Sequence, residues 1–104
     1  MSNLPQVPLP SGTFTEGPLA GVEYHSLSRS QALKLQSFKG KEDAAEDYIV
    51  ACGTNPLNPT ESEQKAAMAS AHVWRSSVAL GVAGELVDAI IMLSGLSGDS
   101  GPKA

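Results

Sequence analysis

Cysteine is almost missing from this chain. Cys52 stands alone, so no internal disulfide can form and there is no CxxC or Cys/His metal framework. A single thiol of this kind suits a reducing compartment. Long hydrophobic runs are missing as well. No stretch reaches the roughly 18 apolar residues of a membrane span. The N-terminus has neither the basic start nor the apolar segment of a signal peptide, so the protein is expected to stay in the cytoplasm where it is made. Basic residues are few: 7 Lys and Arg stand against 11 Asp and Glu, for a formal net charge of -4. That balance argues against the clustered positive surface that nucleic acid requires.

The residue patterns that carry chemistry are also absent. His25 and His72 are far apart and form neither HxxxH nor HExxH, so they cannot present metal ligands on one helix face. No GxxxxGK[ST] or strand-associated GxGxxG occurs. Gly98-Asp99-Ser100-Gly101-Pro102 resembles the nucleophile segment of chymotrypsin-like serine proteases, but that chemistry needs a histidine base, an orienting aspartate and a double β-barrel. A chain of 104 residues has no room for that barrel. Glu42 with Asp43, and Glu61 with Glu63, fall in first helical turns, where acids suit the helix dipole and remain solvated. Neither catalysis nor a cofactor is expected, and no metal site.

What is present reads as one small, mainly helical domain. Residues 1–20 hold Pro5, Pro8, Pro10 and Pro18 among Ser and Gly and read as a flexible arm. Val22-Glu23-Tyr24-His25 alternates in polarity and predicts one short edge strand. From there to residue 96 the spacing predicts a bundle of about four helices. Ser28 with Gln31 forms a capping box that opens a helix over about 29–38, and Gly40 is its stop. Ala45, Tyr48, Ile49 and Cys52 share one face of a second helix over about 42–52, closed by Gly53. The prolines of Asn55–Pro59 impose a loop. Thr60 with Glu63 then opens a third helix over about 61–78, with Ala67, Ala71, Trp74 and Val78 on one face.

Gly81 and Gly84 suggest a bend. Beyond it Val82, Leu86, Ile90 and Leu93 line one side of a fourth helix, ended by Gly95, and Ala83, Val87 and Ile91 widen that side. These positions sweep about 200° of the circumference, roughly twice what a surface helix needs. Either this helix is central and covered by its own domain, or part of its face stays open for a partner. Residues 97–104 are rich in Ser and Gly and read as a flexible tail. Trp74 is the only tryptophan, a residue that serves either as core or as an interface anchor.

Several stretches together carry a resemblance. These are Leu27-Ser28-Arg29 leading to Ala32-Leu33-Lys34-Leu35, the acidic run ending in Tyr48-Ile49-Val50-Ala51-Cys52-Gly53, the pair Trp74-Arg75, and Leu86-Val87-Asp88-Ala89-Ile90-Ile91-Met92-Leu93-Ser94-Gly95-Leu96. In order and spacing the chain resembles the tail assembly chaperones of long, flexible-tailed bacteriophages. The resemblance implies a small helical factor that binds the tape measure protein, keeps it soluble, helps tail tube subunits assemble around it, and is absent from the mature virion. It implies partner-binding faces that include Trp74, Leu86, Ile90 and Leu93. The competing expectation is a head-to-tail connector or tail completion protein, which can also be small, acidic and helical and which remains in the particle.

Overall fold

In the computed structural model, which describes residues 8–56 and 59–96, both capping boxes form. Helix α1, Arg29–Leu35, starts where the Ser28 hydroxyl accepts from the Gln31 N–H at 3.2 Å. The Gln31 side-chain oxygen returns the bond by accepting from the Ser28 N–H at 3.0 Å. A 3-10 turn over Gln36–Phe38 extends α1 to the expected end, and Gly40 takes the left-handed conformation beyond it (φ +83°). Helix α2 is Glu42–Thr54, α3 is Glu61–Ser77 and α4 is Leu80–Leu93. At α3 the Thr60 and Glu63 pair repeats the reciprocal bonds at 3.1 and 2.8 Å. Gly95, at φ +73°, ends α4 as expected.

Three expectations need correction. Part of the stretch read as a flexible arm is built into the fold: β1, Ser11–Thr13, pairs antiparallel with β2, Glu23–His25, with Gly12 opposite Tyr24. Leu19, in the connection between them, is buried in the core. Proline and glycine here shape a turn: Gly17 and Gly21 supply positive φ, and the Pro10 carbonyl accepts the Ser26 N–H at 2.9 Å. Residues 1–7 and 97–104, the outer arm and the tail, lie outside the described residues.

Gly53 does not close α2. The helix runs through it to Thr54, and a Cβ at Gly53 would lie 2.7 Å from Cγ1 of Ile90 and closer still to its Cδ1. Gly53 therefore serves close helix packing rather than termination. The bend near Gly81 and Gly84 falls earlier, at Val78 and Ala79, whose extended backbone separates α3 from α4. Both glycines are inside α4 with open space where a Cβ would go. Because Gly84 spends backbone entropy without serving any contact, Gly84→Ala should stabilise the protein by about 1 kcal/mol, read as a raised urea midpoint.

The central helix is α2, not the more hydrophobic α4. Seven consecutive residues of α2, Asp47 to Gly53, are buried, which requires neighbours on every side. Helices α3 and α4 flank it, with α1 and β2 covering the rest. Helix α4 buries Ala83, Leu86, Val87 and Ile90, the last completely. Its end is tied to the segment before α1 through Ser94, whose hydroxyl accepts the Leu27 N–H at 2.9 Å and donates to the Ile90 carbonyl at 2.7 Å.

Candidate protein-binding groove and the clamp beside it

Alanine and serine recur on the face that α3 turns towards α2, and small side chains there leave a depression between the two helices. One part, about 480 Å³, is lined by Cys52, Pro56, Pro59 and Gln64. A second, about 260 Å³, is lined by Val22, Val50, Trp74 and Leu86. Both share Ala51, Asn55, Ala67 and Ser70, so they form one groove with mainly apolar walls. Trp74 is half-buried and packs on the core while facing this groove.

Of the four residues expected to meet a partner, Trp74 and Leu86 come together at the groove. Ile90 does not reach the surface, because it fills the space over Gly53, and Leu93 is half-buried near the end of α4. The open apolar side chains are others: Leu80 is 89%, Met92 72% and Val73 67% exposed. The wide face of α4 is thus buried at Ala83, Leu86, Val87 and Ile90 and half-buried at Val82, Ile91 and Leu93, and the exposed Leu80 and Met92 are not among its residues. The Ala67, Ala71 and Trp74 periodicity marked this side of α3 as a packing face, not as a groove. Asn55, Pro56 and Ser70 carried no signal, because they join the groove only through the meeting of two helices.

Beside the groove, α2 and α3 are joined by charge. Arg75 on α3 reaches three carboxylates of α2: Nη1 donates to Asp47 Oδ1 at 2.6 Å and to Asp43 Oδ1 at 3.0 Å, and Nη2 donates to Glu46 Oε1 at 2.6 Å. Nη1 also reaches the Asp43 carbonyl at 3.1 Å. His72, one turn before Arg75, places Nδ1 3.0 Å from Asp47 Oδ2 and 3.7 Å from Asp43 Oδ2. Of the first-turn acids expected to be solvated, only Asp43 joins this clamp, and it stays largely exposed, whereas Asp47 is buried. Burial opposes the Arg75 charge, but its hydrogen bonds to Asp47 and Asp43 and the charges of Glu46 and Asp47 outweigh this and raise its pKa above the ordinary value.

No family model, curated protein or solved structure matches this chain. The site must therefore be read on its own chemistry. Cys52 is buried, and burial pushes its thiol up, with weaker opposition from hydrogen bonds to Tyr48 and Gln64. Burial likewise pushes the Tyr48 phenol far up, and Cys52 adds to that shift. Both groups stay neutral in the fold at a pH where the unfolded chain ionises them, near 9.0 for the thiol and 10.0 for the phenol. Their contribution to stability is thus intact below those values and is lost progressively as pH rises above them towards the raised values of the fold. The urea midpoint should hold to roughly pH 9 and then fall, and Cys52→Ala should delay that fall towards the phenol range. Among the described residues no helix is long and apolar enough to cross a membrane.

Proposed function

We propose that this chain is a holding protein rather than an enzyme, and specifically a tail assembly chaperone that binds the tape measure protein of a long-tailed bacteriophage. One observation carries the binding role: an apolar groove with Trp74 and Leu86 in its wall, on a molecule that also leaves Val73, Leu80 and Met92 largely uncovered. Uncovered apolar side chains and an apolar groove are typical of surfaces that meet another protein. The choice of client rests on the sequence resemblance. A long helical client exposes apolar stripes that aggregate unless covered, and a shallow groove can cover them weakly and reversibly. Reversibility is required if tube subunits are to displace the chaperone. On this reading the protein acts in the host cytoplasm and leaves before the particle is complete.

Co-expression with the tape measure protein of the same phage tests the reading. The client should become soluble and co-elute with this chain. Ser70→Leu, which fills the groove from an exposed position, should weaken the complex without unfolding the chaperone. Equal client solubility with and without this chain, with no complex on a sizing column, rejects it. Abundant copies in purified virions would instead favour the connector.

A further inference from the structure

Two oxygens of each clamp aspartate face different groups. The Oδ1 atoms of Asp43 and Asp47 both receive Arg75 Nη1, whereas the Oδ2 atoms of both turn towards His72 Nδ1. The arrangement is more than an acidic patch, since its third member is an imidazole nitrogen from a second helix. From this geometry we propose that Asp43, Asp47 and His72 form a binding site for a divalent transition ion of the zinc type.

The spacing suits such an ion. Zinc held tetrahedrally at about 2.0–2.1 Å from each ligand sets neighbouring ligand atoms about 3.4 Å apart. The two Nδ1 to Oδ2 distances, 3.0 and 3.7 Å, bracket that value, and the ligand atoms of all three residues lie within 4.8 Å of one another. Asp43 and Asp47 are one helical turn apart, so their carboxylates project from the same side of α2. Arg75 need not leave: it holds the opposite oxygens and so orients both carboxylates, as outer-shell partners of metal ligands do. It also offsets one of the three negative charges of Asp43, Glu46 and Asp47, leaving an excess that a divalent ion neutralises. In the bound form Nδ1 gives its lone pair to the metal and the ring proton is on Nε2.

The mixed donor set selects the metal class. One imidazole and two carboxylates suit zinc, cobalt or nickel, whereas magnesium and calcium prefer all-oxygen shells. Side chains of His72 and Asp43 are 53% and 71% exposed, so water can complete the coordination. Such an ion would tie α2 to α3, the two helices that form the groove.

Titration of the untagged full-length protein with zinc chloride, followed by calorimetry and by Trp74 emission, tests the site. The expected result is one zinc per chain and a melting temperature raised by zinc but not by magnesium. His72→Gln and Asp43→Asn should each weaken binding by about tenfold or more. Glu46→Gln, which touches only Arg75, should change it by less than about threefold. The exposure of His72 and Asp43 makes both variants compatible with folding, and the zinc-dependent melting shift of the unaltered protein stands whether or not they fold. Absence of saturable binding at one equivalent, an undiminished affinity in His72→Gln, or an equal loss in Glu46→Gln would each overturn the proposal.

Discussion

Gly53→Val should lower the melting temperature by about 10 °C or more, since overpacking a tight core costs roughly 1–3 kcal/mol and each kcal/mol shifts a domain of this size by about 4–8 °C. The cause lies across the α2–α4 contact. Even the first added carbon would sit 2.7 Å from Ile90 Cγ1, and Ile90 is fully enclosed, so it has no free space to turn into. Gly53→Ala gains about 1 kcal/mol of helix propensity against the same clash and should be milder. Coupling identifies the mechanism. Ile90→Val removes Cδ1, the atom in closest conflict, so Gly53→Ala with Ile90→Val should be less destabilised than the sum of the single changes. Strict additivity in thermal or urea melts would contradict this packing account.

Arg75→Met should destabilise the protein by about 3 kcal/mol, the usual cost of leaving a buried charge without its partner. Asp47, whose side chain is only 11% exposed, would then face His72 alone. Asp43 and Glu46 lie further out and can be rehydrated, so they add little. Arg75→Lys should cost less, yet it cannot match the parent, because one ammonium cannot serve three carboxylates in the fixed fork of a guanidinium. Adding Asp47→Asn to Arg75→Met should recover part of the loss, because the stranded charge is then gone. Equilibrium unfolding in urea measures all three. A double variant no more stable than Arg75→Met would mean that the loss comes from the packing of the arginine stem.

The α3 start was legible from Thr60 and Glu63 alone, because a capping box is satisfied within four residues and needs no distant partner. The α1 start at Ser28 and the stops at Gly40 and Gly95 were legible for the same local reason. Gly53 was not legible as a packing glycine because a glycine that ends a helix and one that admits a neighbour look identical in sequence, and Gly84 looks the same inside a helix as at a bend. The groove between α2 and α3 was not legible, since the face expected to stay open was that of the fourth helix. Periodicity pointed to the Ala67, Ala71 and Trp74 face of α3, while Asn55 and Ser70 gained their place only when α2 packed alongside.

By itself the sequence determined the starts of α1, α2 and α3, the helical class and the acidic balance of charge, because capping, period and composition act over one or two turns. Tertiary structure alone decided that α2 rather than α4 is central, that β1 completes a sheet with β2, and that Arg75 gathers Asp43, Glu46 and Asp47. Those outcomes depend on how many neighbours each surface finds once the chain is folded. A helix with more apolar residues has a stronger demand for cover, but which helix is covered on all sides is set by the competition among every face in the molecule.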